Sequence, residues 1–341
     1  MQFEAFNDWS ALPSGVDALF AQYERRKIFY SRLWFETLTN SALEQDQHML
    51  LACVMEADRA LAVLPLVRTG DHGWQSLSNA YSTHFTVLLG DGDQAAALQC
   101  LVTGLASLGV QSLRLLPAVG DEPNMAALET ALSAKGFDCH RDFRFYNWIE
   151  RLNGRSFQEY MADRPGQLRN TIARKQRKLA REQGCEIRLI THDGVAKAMD
   201  QFKAVNRASW KAGERYQNFI DQLVMVAAEA GWLRMALLDA GGRTIAAQIW
   251  FVVHGKASIF RLSFDEDWRP YSPGSILTRF LMEQVIDKDG VDEIDFLLGN
   301  ERYKQDWMTE RRECFGLTCE APEPDRSSSN WKKLVPAFLK R

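Results

Sequence analysis

Apolar positions along this chain recur in two periods, every second residue and every third or fourth. The order in which the two periods alternate is the same in both halves. In the first half, GVDALFAQYERR and SRLWFETLTNSAL carry apolar residues at helical spacing. Three strand-like runs follow: HMLLACVME, RALAVLPLV and a stretch after Gly73 that ends in HFTVLL. A helix over Asp93 to Leu108, a strand SLRLLP, a helix from Pro123 to Lys135 and a strand through Asp142 to Glu150 complete that half. The second half opens with a strand, CEIRLIT, and then repeats the order. Its helices cover Val195 to Lys211 and Gln217 to Ala230, and its strands are WLRMALLD, TIAAQIWFVV and KASIFRLSF. A helix from Ser275 to Asp287, a strand VDEIDFLL, a short helix from Glu301 to Trp307 and a strand around CFGLTCE end it. An offset of roughly 180 residues is too long for a solenoid repeat. The pattern predicts two copies of one mixed α/β domain, over residues 1–150 and 151–320, followed by a separate segment 321–341.

Two stretches stand outside the repeat. In RPGQLRNTIARKQRKLARE, seven basic residues (Arg164, Arg169, Arg174, Lys175, Arg177, Lys178, Arg181) precede the first acid, Glu182. Leu168, Ile172 and Leu179 give it a weak apolar stripe, so it reads as a helix, with Pro165 in the first turn and Gly184 as the stop. It is either a solvated charged face or a surface for an anionic partner. The tail joins a Pro/Ser linker, APEPDRSSSN, to Trp331, Leu334, Val335, Phe338 and Leu339 on one helical face, interrupted by Pro336. That face docks back on the protein or, with its basic flanks, meets an anionic membrane surface.

Composition narrows the classes. The chain has 341 residues, 46% hydrophobic and 25% charged, with a net charge of -3, which suits a globular protein of about two domains. A nucleic-acid-coating protein would be far more basic, so any anionic partner must be met locally. The first fifteen residues lack a basic and an apolar region of the secretory kind, and no apolar run is long enough to span a bilayer. Six cysteines and six histidines are scattered with no CxxC pair and no metal-ligand spacing. Buried free thiols in a reducing, cytoplasmic setting and no metal are the expectation.

Walker, Rossmann, nucleophile-elbow and HExxH motifs are absent. The candidates for chemistry gather in the second half. Strand KASIFRLSF leads through DEDWRPYSPGSI into a helix, and Ser272, Pro273, Gly274 and Ser275 stand at its entrance. Unpaired N–H groups and the helix dipole there suit a phosphate or pyrophosphate, with Arg269 supplying a charge-assisted bond; the alternative is a structural Pro-Gly cap. Asp295 on the next strand either lines a cleft or is a satisfied edge acid. Tyr303 and Lys304 either reach into that cleft, or Tyr303 packs with Trp307 and Lys304 is solvated. Trp210 and Glu214, in SWKAGE, form a substrate-facing loop or a plain helix stop. Gln248, in an apolar strand, is a ligand or a buried amide satisfied between elements.

Taken together, these residues resemble a known family. The stretch from Tyr160 to Glu320 contains the basic helix, SWKAGE, the SPG helix entrance and a G-x-x-x-YK-x-x-W run (Gly299, Tyr303, Lys304, Trp307). It is similar to the GNAT-type acetyltransferase domain of the CelD-like (cellulose-biosynthesis acetyltransferase-like) group, related to the FemAB transferases. The first half resembles the degenerate N-terminal GNAT-like domain of that architecture by element order.

The resemblance implies two tandem GNAT-like domains, each with a mostly antiparallel sheet flanked by helices. It implies transfer of an acyl group from acetyl-CoA or a longer acyl-CoA to an amine on a small molecule or glycan, in polysaccharide or cell-envelope metabolism. Ser272 to Ser275 would hold the donor pyrophosphate, although only Gly274 matches the family's Gly-rich loop. Asp295 or Glu214 would take the amine proton, Tyr303 would protonate the leaving thiolate, and Lys304 would hold a substrate carboxylate or phosphate. Trp210 and Gln248 would border the substrate. The alternatives are a Fem-like transferase that draws an aminoacyl group from tRNA, with the basic helix on its phosphates, and a non-catalytic binding subunit.

Overall fold

The computed structural model describes residues 1–44, 46–70, 72–209, 213 and 215–322. The expected tail helix, within 323–341, lies outside these residues. The chain forms two compact units that differ from a simple halving. Met1–Phe145 joins the chain from Glu313 in one, and Tyr146–Arg312 forms the other.

In the first unit, strands β1 (Gln2–Phe6), β2 (Met49–Glu56), β3 (Arg59–Thr69), β4 (Gly73–Ser76) and β6 (Ser112–Val119) lie side by side in that order, and β5 (Leu88–Leu89) pairs with β3. Their pairings are antiparallel except β4 with β6. Next to β6 comes β13 (Glu310–Glu320), from the end of the chain, and beyond it the first part of β7 (Asp138–Arg151). The unit's helices are α1 (Ser14–Glu24), α2 (Arg32–Ser41), α3 (Gln94–Ser107) and α4 (Pro123–Ala134). β1 was not expected from the sequence. It pairs along its whole length with β2, and Phe3 packs so closely on α3 that a Cβ on Gly104 would collide with its ring.

The second unit contains α5 (Phe157–Ala162), α6 (Gly166–Gln183), β8 (Glu186–Ile190), α7 (Val195–Arg207), α8 (Gln217–Glu229), β9 (Leu233–Ala240), β10 (Arg243–Val253) and β11 (Lys256–Phe264). A 3-10 turn (Glu266–Tyr271), α9 (Pro273–Glu283), β12 (Glu293–Leu298) and α10 (Arg302–Trp307) follow. Its sheet runs β7, β12, β11, β10, β9, β8, antiparallel except for β11 with β12. Each unit is thus a mostly antiparallel sheet flanked by helices. The closing strands are exchanged relative to sequence order: β6 pairs with β13, and β12 pairs with β7. The strand expected from Asp142 begins at Asp138, and the one expected around CFGLTCE begins at Glu310. The helix expected from Ser275 begins at Pro273, and its last turn, Gln284–Lys288, is a π-helix.

The basic helix forms as α6, capped by Pro165 and ended by Gly184 in a positive-φ conformation (φ 65°). Its Ile172 and Leu179 enter a core with Tyr160, Trp250, Leu281 and Trp307. Arg164, the first cation of the run, is itself core, 6% exposed. Its guanidinium donates to the fully buried Glu150 carboxylate at 3.4 Å and to Trp307 O at 3.0 Å. Glu150 also accepts from Arg155 Nη2 at 2.6 Å and from Thr309 Oγ1 at 2.8 Å. The Tyr160 hydroxyl adds a bond of 2.7 Å to Trp307 O, so the end of α10 is anchored twice.

Removing one member of a buried charge cluster leaves the others without a counter-charge. Glu150→Ala should therefore cost about 3–5 kcal/mol of stability. Urea denaturation followed by tryptophan fluorescence checks this; a loss below about 1 kcal/mol would show that the cluster does not hold the second unit together.

Candidate functional site

Parallel strands β11 and β12 run side by side for only three residue pairs, Lys256 with Glu293, Ala257 with Ile294 and Ser258 with Asp295. Beyond that point they part. On β12 the cause is a break in register against β7 between Asp295 and Leu298, where Leu297 takes a positive φ of 55°. A non-glycine residue pays for such a conformation, and the neighbouring side chains stabilise it here. Asp295 Oδ1 accepts from Leu297 N at 2.8 Å and from Asn147 Nδ2 at 2.6 Å, while Asn147 Nδ2 also reaches Leu297 O at 3.1 Å. Arg312 Nη2 donates to Asn147 Oδ1 at 2.6 Å.

Beside β11, past its last pairing with β12, lies a cavity of about 540 Å³. Leu262 and Phe264 of β11 form one wall, Gly274, Ser275 and Thr278 of α9 a second, and Tyr303 and Trp307 of α10 a third. Glu266, Arg269 and Glu301 supply its charges. Ser272 begins α9 in a left-handed conformation (φ 55°), and no side chain caps the helix. Its first-turn N–H groups, including those of the cavity-lining Gly274 and Ser275, are the kind of donors that receive an anion.

Of the residues singled out in the sequence, Arg269, Gly274, Ser275 and Tyr303 share this cavity. Tyr303 keeps 46% of its surface, and the ring stands 6.1 Å from that of Phe296. Despite that opening, burial of the phenol among the cavity walls, and then the Glu301 carboxylate, raise its pKa above the ordinary value. Ser272 starts the helix and is not among the lining residues.

Three others stand behind the walls. Asp295, 1% exposed, is held in the β12 break and is not among the lining residues. Gln248 is fully buried; its Nε2 donates to Gly274 O and Thr278 Oγ1, both at 2.9 Å, and its Oε1 accepts from Trp250 Nε1 at 2.9 Å. It bolts the first two turns of α9 to β10. Lys304, expected to hold substrate, is 4% exposed. Its ammonium donates to Phe296 O at 3.1 Å and to Leu298 O, and pairs with Glu301 at 3.2 Å. Burial lowers its pKa, partly offset by Glu301. These bonds close the turn after β12 and leave the lysine little to offer a ligand. Trp210 and Glu214 lie outside the described residues.

Sequence reasoning missed Glu266 and Glu301, the carboxylates that do line the cavity. A signal existed for Glu301 in the turn Gly299-Asn300-Glu301. Gly299 has a positive φ of 118°, and a Cβ there would collide with the Glu301 carboxylate folded over it. No group of three or more His, Cys, Asp or Glu side chains suited to a metal occurs among the described residues. No helix among them is long and apolar enough to cross a membrane.

Residues 166–305 match the family model described as an acetyltransferase (GNAT) domain. Among curated proteins no sequence matches the chain. Among solved structures it is similar to FemX (10% identity, covering 92% of this chain and 96% of that one, TM-score 0.61). It is also similar to a tandem GNAT protein from the clavulanic acid biosynthesis pathway (13% identity, 94% and 99% covered, TM-score 0.54). L-PGS from Bacillus licheniformis is a third (10% identity, 84% and 90% covered, TM-score 0.53). At such identities these likenesses concern the fold, a tandem arrangement of GNAT-like units.

The raised phenol predicts that Tyr303 stays protonated through neutral pH and ionises only above its ordinary pKa of 10.0. Subtracting the alkaline absorbance titration of Tyr303→Phe from that of the native chain should leave no phenolate step below pH 10. A step at or below that value would remove the raised pKa.

Proposed function

We propose that the second unit is an N-acyltransferase that moves an acyl group from a thioester of the acyl-CoA kind to an amine. The cavity between β11, α9 and α10 carries this reading: an uncapped helix N-terminus with Arg269 lies on one side and a protonated phenol on another. The GNAT match over residues 166–305 covers the donor loop, β12 and most of α10.

The reaction asks for three services: deprotonation of the amine, support of an oxyanion and a proton for the leaving thiolate. The donor's pyrophosphate would rest on the α9 N–H groups with Arg269 beside it. Tyr303 donates the proton to the thiolate. Glu301, held at the cavity by Lys304, receives the ammonium proton, and Asp295 acts behind it by keeping the strands apart. The order of motifs favours the CelD-like group and therefore an amine on a glycan or envelope precursor, handled in the cytoplasm.

A second reading, an aminoacyl group taken from tRNA by a Fem-like transferase, draws on one observation. Arg169, Arg174 and Arg177 are exposed on α6 with no ion pair among the described residues, and such cations meet phosphates.

Thermal-shift titration separates these readings. At about a hundred times its dissociation constant, the true donor should add about 2.7 kcal/mol of stability. Stabilisation by acyl-CoA supports the first reading and by aminoacyl-tRNA the second; no response to either would point to a non-catalytic binding subunit. In the acyl-CoA case, Gly274→Leu should weaken donor binding about tenfold or more, because a Cβ there already stands 3.3 Å from Phe264 and 3.8 Å from Leu262, so a larger side chain displaces the helix entrance that would hold the donor. Tyr303→Phe should lower kcat about a hundredfold while leaving donor Kd unchanged. Equal kcat in the two proteins would remove Tyr303 from the chemistry.

A further inference from the structure

The first unit contains a pair of thiols that the proposed chemistry does not use. Cys139 lies on β7 and Cys319 on β13, neighbouring strands of that unit's sheet. Three contacts set their register. The rings of Phe143 and Phe315 meet edge-on at 6.2 Å. A Cβ on Gly136 would stand 3.6 Å from Pro322, seven residues further along the chain from each in opposite directions, and one on Gly316 would meet the side chains of Arg144 and Asp142 on either side of Phe143. Continuing this antiparallel register by four residues from Phe143 and Phe315 puts Cys139 directly opposite Cys319. Residues directly opposite in an antiparallel pair project to the same face of the sheet, so the two thiols are cross-strand neighbours.

The hydrogen bonds on the far side of β13 decide which kind of pair this is. Ala321 N donates to Gln111 O at 2.7 Å, and Cys319 is registered with Leu113 two residues away on the same ladder. Cys319 therefore turns its backbone groups toward β6, because N–H and C=O of one strand residue point to the same side. Toward β7 it faces Cys139 as a non-hydrogen-bonded pair, the geometry in which side chains come closest. Such pairs hold their Cα atoms about 4.5 Å apart, inside the roughly 4.4–6.8 Å that a disulfide accepts.

We infer that Cys139 and Cys319 form a redox-active pair that a small-molecule disulfide oxidises to a cross-strand disulfide. Access and depth assign the order of events. Cys139 is half-buried and Cys319 fully buried, so the outer thiol meets the oxidant first. The Cys139 thiolate attacks one sulfur of the small disulfide, forming a mixed disulfide and releasing one small thiolate. The Cys319 thiolate then attacks the Cys139 sulfur, closing the protein disulfide and releasing the second small thiolate. The two protein thiols lose two protons and two electrons; the small disulfide gains the electrons, and its two thiolates take up protons from solvent. Burial, together with the nearby Cys139, Glu129 and Glu320, raises the Cys319 pKa, so ring closure speeds up with pH. The product ties the last described strand of the chain to β7.

The test uses the full chain incubated with oxidised glutathione. Thiols titrated after unfolding should fall from six to four, peptide mapping should join the Cys139 and Cys319 peptides, and dithiothreitol should restore six. Cys319→Ser should stop at one glutathionyl group on Cys139, whereas Cys100→Ser, which removes another half-buried thiol, should leave the link intact. Six thiols remaining in the native chain, a lasting mixed disulfide on Cys139, or a link to any other cysteine would overturn the pair.

Discussion

The second unit is organised around the point where two parallel strands stop pairing. A parallel ladder broken inside a core leaves backbone donors and acceptors without partners, which is tolerated only when side chains replace the lost strand. Asp295 and Asn147 do this at the β12 break by binding Leu297 N and O, and Arg312 holds Asn147 in place. Past its last pairing with β12, β11 forms one wall of a cavity, and α9 and α10 form the others. Asp295, which the resemblance placed in the chemistry, is 1% exposed, tied to the β12 break and not among the cavity's lining residues.

Polar groups spent on architecture recur around that space. Gln248 fixes the first two turns of α9 through a carbonyl and a hydroxyl, Lys304 gathers two strand carbonyls and Glu301, and Arg164 with Tyr160 anchors the end of α10 through Trp307 O. In a low-dielectric interior each such bond is stronger than in water and each unpaired group more costly. These contacts hold the cavity walls from behind, and the surface facing the cavity keeps a small set of polar groups: Arg269, Ser275, Thr278, Tyr303, Glu266 and Glu301.

The basic run on α6 divides in the folded chain into parts with different work. Arg164 is a core residue, Lys175 donates to Pro270 O, and Lys178 lies 4.9 Å over the Tyr271 ring. The latter two brace the turn that leads into α9, so part of the charge run steadies the proposed donor loop. Arg181, exposed, pairs with Glu182 at 2.9 Å, which leaves Arg169, Arg174 and Arg177 as the exposed cations of the run without an ion pair among the described residues. A count of charges along the sequence therefore overstates the number of unpaired cations that the folded chain offers a polyanion.

Much of the element pattern was legible in the sequence because it is written in local periodicity. The apolar spacing of GVDALFAQYERR, the strand-like run TIAAQIWFVV and the Pro165 and Gly184 boundaries of α6 each depend on a few neighbouring residues. The helix entrance at Ser272 to Ser275 and the Tyr303 position were legible for the same reason, and three of those five residues line the cavity with Arg269. What the sequence could not disclose depends on partners far away along the chain. That β6 takes β13 and β12 takes β7 is a matter of long-range pairing, which no local period encodes. The burial of Asp295 and Lys304 follows from the same cause. A carboxylate or an ammonium looks equally available for chemistry in a sequence, and only the tertiary structure decides whether it faces a cavity or is used up on the backbone around it.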